Sequence, residues 1–211
     1  MSKVSDTREK LLTTAIELVW QSNYANVGVN EICERSGVTK GGFYHYFASK
    51  AELFRAASEH AWQGMKLELD AIHSPENNAL MKLEGYIDLI IRKQEMHDQD
   101  ESPVSGCPFF TSGAQCDNDE PVVREVAIAM SERAQIYYTA LIVALRDEDC
   151  LEPDIEPEQT ARLFAHFVHG LLMYGRVMRS LDVVTRDLRI GVYRLVGLKR
   201  PLWSEAATSP V

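Results

Sequence analysis

The sequence predicts an all-α fold. Three observations carry that prediction. Hydrophobic residues recur at helical spacing along most of the 211 residues, and no segment shows the strict alternation of a half-buried strand. Cap-forming residues interrupt the pattern at repeated intervals. Near the N-terminus, two short helical stretches meet at a glycine, Gly37, in the manner of a helix-turn-helix. About nine helices follow from these breaks.

Ser5 or Asp6 caps a first helix to about Gln21, with Leu11, Leu12, Ala15, Ile16, Leu18 and Val19 on its buried face. Asn23 tolerates the left-handed conformation and ends it, and Tyr24 turns back onto the core. Gly28 with Glu31 three residues on resembles a capping box whose hydroxyl is replaced by glycine, a weaker start to the second helix. Gly37 is placed to be the left-handed residue that ends it. Thr39 caps a third helix whose first turn, Lys40-Gly41-Gly42, has little side-chain bulk. Phe43 and Phe47, four apart, point inward, while Tyr44, His45 and Tyr46 set three hydrogen-bonding rings on one turn. Ser49 and Glu52 form a capping box for a fourth helix, which runs through Leu53, Phe54, Ala57, Ala61, Trp62 and Met65 towards Ile72.

Ser74-Pro75-Glu76, a cap, a proline and an acid, predicts a fifth helix from about Glu76 to Met96. A polar loop from His97 to Gly106 precedes a short helix over Pro108–Gln115 and a turn at Cys116–Asp119. A long helix spans Pro121–Leu145, with Val122, Val126, Met130, Ile136, Tyr137 and Leu141 inward. The acidic, proline-containing stretch Asp147–Glu158 is a solvated connection. Two helices follow, about Glu158–Ser180 and Val184–Val196, and residues 201–211 are read as a disordered tail. The first of this pair carries more apolar width than a one-sided helix needs, which places it centrally in its own core, in an oligomer interface, or both. Gly170 and Gly175 permit close helix approach there.

Charge is divided unevenly. Residues 1–66 hold eight Lys and Arg against seven Asp and Glu, a net of +1, whereas residues 67–211 hold fourteen against twenty-four, a net of −10. An acidic body argues against nonspecific coating of nucleic acid and leaves DNA binding to a few placed groups. No apolar run approaches the roughly 20 residues that span a bilayer, and the N-terminus lacks the apolar region of a signal peptide. Cys33, Cys107, Cys116 and Cys150 then read as reduced thiols in a cytoplasm, and none has the CxxC spacing of a zinc site. No cofactor or metal is implied. The chain has no HExxH, no phosphate-cradling GxGxxG or GxxxxGK[ST], and no nucleophile elbow.

The helix pair of residues 28–47, followed by a long helical body, resembles the TetR family of bacterial transcriptional regulators. The resemblance is carried by Glu31-Ile32, Ser36-Gly37-Val38, Lys40-Gly41, Phe43-Tyr44-His45-Tyr46-Phe47 and Ser49-Lys50-x-Glu52-Leu53. It implies a DNA-binding domain over 5–62, an effector-binding and dimerisation domain over 63–200, and no enzymatic activity. By the same resemblance Thr39, Lys40 and Gly41 open the recognition helix, Tyr44 and His45 clasp phosphates, and Lys50 at the start of the fourth helix binds another. Lys40 is the candidate for a bidentate contact to guanine. Gly28 and Val29 stand where hydroxyl residues often assist, so the second helix offers less grip. The family fold further implies a homodimer through the last two long helices, a palindromic double-stranded DNA operator, and release by a small-molecule effector. An activator of the same fold, or a helical enzyme or interaction module, are the alternatives.

Ser105-Gly106-Cys107-Pro108 makes Cys107 the N-cap of the short helix, where unpaired amides and the positive helix end favour thiolate. Cys107 is thus the effector-sensing candidate for an electrophile or oxidant, in keeping with a Gly-Cys at this point in some TetR regulators; a small inert cap is the other reading. Cys116 could resolve it only if the short helix unwinds, since the two ends lie about 12 Å or more apart. His166 and His169 stand at metal-ligand spacing, though a satisfied histidine pair explains them as well. Trp62, Phe109, Phe110, Tyr137, Tyr138, Phe164 and Met173 are either effector-pocket lining or core.

Overall fold

The computed structural model describes residues 3–22, 24–95, 104, 106–115 and 120–206. Among these residues every regular element is helical: α1 (Lys3–Ser22), α2 (Val29–Ser36), α3 (Lys40–Tyr46), α4 (Lys50–Ile72), α5 (Ala79–Glu95), α6 (Pro108–Gln115), α7 (Pro121–Asp147), α8 (Pro157–Met178), α9 (Leu181–Val196), a 3-10 turn (Arg200–Leu202) and a short α10 (Trp203–Ala206). One isolated antiparallel bridge joins Leu151 to Leu198. The chain divides into two compact units, the first running to Met65 and taking in Cys107–Ser131, the second comprising Lys66–Gly106 and the chain from Glu132. Residues 107–131, which the sequence assigned to the effector domain, therefore group with the N-terminal helices.

The first unit is built on the apolar stripe of α1. Leu11, Leu12, Ala15, Leu18 and Val19 are buried against a core that includes Ile32, Phe43, Phe47, Leu53, Phe54 and Ala57. Each of the larger side chains stabilises the unit by about 1.5–3 kcal/mol, enough together to hold helices as short as α2 and α3, which are too short to persist alone. A Cβ on Gly113 of α6 would lie only 2.3 Å from the Ala127 Cβ of α7, so glycine sets the distance between those helices.

In the second unit α8 and α9 pack along their length. Gly175 lies against Val184, and Gly191 against the Phe167 ring, so tightly that a methyl at either would overlap its neighbour. Gly170 has open space instead, so Gly191 and not Gly170 joins Gly175 in the close approach. Glu156 caps α8 by accepting from the Glu158 and Gln159 N–H groups, with Pro157 behind it.

Four sequence expectations are corrected. The fifth helix starts at Ala79 rather than Glu76: Ser74–Asn77 forms a turn, Asn78 Oδ1 accepts from Met81 N–H at 2.8 Å, and the Glu148 carboxylate accepts from Ala79 N–H at 3.0 Å. The eighth helix ends at Met178, where Arg179 turns left-handed (φ 49°), and α9 begins one turn earlier than read, at Leu181. Ile136 is exposed, because at 3.6 residues per turn it falls on the opposite side of α7 from the buried Val126, Met130, Leu141 and Leu145. The tail is ordered as far as Ala206. Trp203 packs edge-on against Tyr193 at 5.6 Å, lies 3.9 Å from the Arg200 guanidinium, and donates its Nε1–H to the Leu198 carbonyl at 2.9 Å. Asn23, Cys116 and residues 207–211 lie outside the described residues.

Candidate DNA-binding face

Capping geometry fixes where α2 ends and α3 begins. Gly37 is left-handed at φ 67°; its N–H donates to the Glu34 carbonyl and that of Val38 to the Cys33 carbonyl, the paired bonds of a Schellman motif. Any L side chain at Gly37 would be strained. Gly28 caps α2 through its backbone alone, with no side-chain bond, which matches the weak start read from the sequence. Thr39 accepts from the Gly42 N–H at 3.1 Å and so starts α3 within two residues of the glycine turn. The next helix is capped by Ser49, whose hydroxyl accepts from Glu52 N–H at 3.1 Å, while the Glu52 carboxylate reaches back past it to Ala48 N–H at 2.7 Å.

These caps leave one side of α3 facing outward. Phe43 and Phe47 are buried with ring centroids 6.3 Å apart. Thr39, Lys40, Gly41, Tyr44 and His45 are all exposed, Tyr44 to 57%. Each exposed ring is steadied by an inner one, Tyr44 edge-on to Phe43 at 5.1 Å and His45 edge-on to Tyr46 at 4.9 Å. The two glycines differ in what they do. A Cβ at Gly42 would lie 2.9 Å from Val38 Cγ1, whereas one at Gly41 would meet nothing closer than Thr39 Oγ1 at 4.0 Å. Gly42 is needed for local packing; the bareness of Gly41 faces outward. The result is a short helix presenting an ammonium, a hydroxyl, two polar rings and accessible backbone, groups suited to phosphates and base edges.

Lys50 is the one sequence-predicted contact that does not join this face. Its Nζ donates to the Tyr24 carbonyl at 3.1 Å and lies 4.0 Å from the centroid of the Tyr24 ring. Burial pushes the amine below its ordinary pKa, against the opposing pull of Glu120. Tyr24 is itself held by α6 and the start of α7: its N–H donates to Ser112 Oγ at 3.4 Å and its hydroxyl to the Glu120 carboxylate at 3.2 Å. No local signal in the sequence could have found these partners, which lie 26 to 96 positions apart.

Cys107 stands just before α6, as read, with its carbonyl accepting from Thr111 N–H at 2.9 Å. The Phe110 and Phe109 amides hydrogen-bond to the thiol and lower its pKa, but burial acts more strongly and the net direction is upward. The thiolate expected from the sequence is therefore not favoured at Cys107: the amides are present, and desolvation outweighs them. Cys33 is likewise pushed up by burial, with Lys40 opposing.

His166 is exposed and His169 half-buried on α8, and no group of three His, Cys, Asp or Glu among the described residues could hold a metal ion. Burial, then the neighbouring His166, pushes the His169 pKa down to about 4, so its imidazole is neutral at pH 7. Of the aromatic candidates, Phe164 is fully buried and packs on Tyr138 at 5.0 Å. Tyr86 lies 5.7 Å from Tyr138 and hydrogen-bonds His73 Nε2 at 2.9 Å, and Tyr137 donates to Asp70 at 2.6 Å. These rings form a mutually packed cluster in the second unit.

The fold and the exposed face define a helix-turn-helix protein. Residues 11–57 match the family described as bacterial regulatory proteins, tetR family, and residues 79–190 match the tetracyclin repressor-like C-terminal domain. The chain belongs to the tetR family of bacterial regulators, and is a DNA-binding transcriptional regulator rather than an enzyme. Among curated relatives it is similar to the HTH-type transcriptional repressor NemR of Escherichia coli K12, at 29% identity over 188 residues covering 87% of this chain and 90% of NemR. The crystal structure of reduced E. coli NemR aligns with a TM-score of 0.78 at 22% identity, covering 92% of this chain and 99% of that one. A cysteine mutant of the TetR-family regulator CifR, complexed with 26 bp operator DNA, aligns with a TM-score of 0.70 at 19% identity, covering 89% and 94%. At those identities the two structures speak for the fold. No helix among the described residues is long and apolar enough to cross a membrane.

Proposed function

We propose that the chain is a cytoplasmic repressor that binds a palindromic operator as a homodimer and is released by a small-molecule effector. The observation that carries this reading is the outward face of α3, where Thr39, Lys40, Gly41, Tyr44 and His45 are together and exposed. The similarity to NemR, a repressor by name, and to CifR, whose mutant binds operator DNA, favours the same reading.

The dimer surface is α8 with α9. Leu163, Tyr174 and Val177 are exposed, and with Gly170 they form a stripe at seven-, four- and three-residue spacing along one side of α8. A glycine with open space in the middle of that stripe lets a second helix come close. Two-fold pairing sets two copies of α3 about 34–36 Å apart, one turn of DNA. An effector that favours a different spacing by about 1–3 kcal/mol lowers operator affinity by roughly 5- to 150-fold. Cys107, half-buried at the head of α6, is the effector-sensing candidate for an electrophile or oxidant.

Gel retardation on DNA upstream of the gene tests the reading. A specific, salt-sensitive shift at a palindrome is expected. Exposure to N-ethylmaleimide should abolish the shift for the wild type and spare it for Cys107→Ser. Failure to shift any palindrome contradicts the repressor reading, and equal loss in both proteins removes Cys107 from it.

A further inference from the structure

Arg186, Arg189, Ile190 and Tyr193 recur at spacings of three and four along α9 and so share one side of that helix. Arg189 and Tyr193, each two residues from Gly191, point to roughly the opposite side of α9 from the contact that Gly191 makes with the Phe167 ring of α8. With Thr185 and with Trp203 of α10, this stripe lines an open groove of about 360 Å³. No acid is among its described lining residues, although the chain from residue 67 onward carries a net charge of −10.

The lining is divided between carbon and cation. Trp203 donates its indole N–H to the Leu198 carbonyl, and the Tyr193 hydroxyl donates to the buried Glu84 carboxylate. The polar end of each ring is thus held within the protein, and with Ile190 the two rings offer the groove an apolar wall. They brace each other edge-on at 5.6 Å. The two arginines differ in how they are held. Arg189 is fixed by Glu84 at 2.8 Å and by Asp88 at 3.2 Å. Arg186 is exposed and paired with its chain neighbour Asp187 at 2.9 and 3.0 Å. An exposed pair of that kind is weak, so Arg186 is readily recruited by another anion. Each guanidinium carries five N–H groups and donates two hydrogen bonds here, which leaves donors on both for a ligand.

We propose that this groove binds a small aromatic carboxylate, its ring against Ile190, Tyr193 and Trp203 and its carboxylate held by Arg186 and Arg189. The planar guanidinium fork matches a carboxylate, and the pair is a charge-assisted one. A groove of this volume suits a ligand of about one or two fused rings. A sugar would leave hydroxyls unpaired against the carbon wall, and a polyphosphate would bring more charge than two partly neutralised arginines can match. The site lies wholly within the second unit, uses no residue of α3, and does not depend on the operator reading.

Isothermal titration calorimetry of the full chain with naphthoate, and with the neutral naphthamide as control, tests this without DNA. Saturable binding of naphthoate is expected, with naphthamide about tenfold weaker or more. Arg186→Met, at an exposed position that folding does not need, should weaken naphthoate about tenfold and leave naphthamide unchanged. Arg186→Lys, which keeps the charge without the fork, should recover part of that loss. Trp203→Leu should weaken both compounds alike. Absence of saturable binding, equal affinity for the two compounds, or wild-type affinity in Arg186→Met overturns the proposal, the last by placing the ligand elsewhere on the chain. Unchanged binding of both compounds by Trp203→Leu overturns the assignment of the apolar wall.

Discussion

Lys40, Gly41 and Gly42 open α3 side by side, yet the structure gives each a different task. Lys40 projects outward as a charge. At Gly42 a methyl would press on Val38, so Gly42→Ala should lower stability by about 1–3 kcal/mol despite alanine's better helix propensity. Gly41→Ala has room and should stabilise by up to about 1 kcal/mol while weakening operator binding. Thermal melts paired with operator titration separate the two; equal melting shifts, or unimpaired binding by Gly41→Ala, would contradict the division. At this scale the sequence was legible wherever a residue's role is local. The Gly37 turn and the Thr39 and Ser49 caps were readable because each is decided within four positions. Lys50 and Cys107 were not, because their behaviour depends on burial supplied by distant segments.

Helices α5 and α9 show the same limit one level up. Glu84 falls on the inward stripe of α5 between Leu80, Leu83 and Ile87, and is buried. Its carboxylate accepts from Arg189 Nε of α9 at 2.8 Å and from the Tyr193 hydroxyl, and Arg189 also reaches Asp88 at 3.2 Å. The position of Glu84 on an apolar stripe was a readable signal that a charge lies in the core; its partners, more than 100 positions away, were not. Removing one partner of a buried pair leaves the other uncompensated. Arg189→Met should therefore destabilise by about 2–4 kcal/mol, and Glu84→Gln should cost less because the amide can still accept from Tyr193. Chemical denaturation of the two variants checks this, and an unchanged midpoint for Arg189→Met would show that α5 and α9 are held by apolar packing alone. The early start read for α5 fails for a related reason. Ser74-Pro75-Glu76 carries the local marks of a helix start, but the Glu148 carboxylate, 69 positions on, meets the amide of Ala79.

Across the whole molecule, the number and order of helices were legible because each needs an apolar stripe to bury, and that stripe is periodic in the chain. The grouping of residues 107–131 with the N-terminal helices was not, since contiguity in sequence does not report which core a helix joins. Charge follows function at this scale. A near-neutral first third and a body of net −10 leave little general attraction to DNA, so binding must come from placed groups, of which α3 offers the most concentrated set. The most direct test measures affinities of wild type, Lys40→Ala and Tyr44→Phe for the operator and for single-base variants of it. Lys40→Ala should lose about 1–3 kcal/mol on the operator and cease to discriminate at one base pair per half-site, while Tyr44→Phe should weaken every sequence alike. Wild-type affinity and discrimination in both variants would contradict the assignment of α3 as the helix that reads DNA.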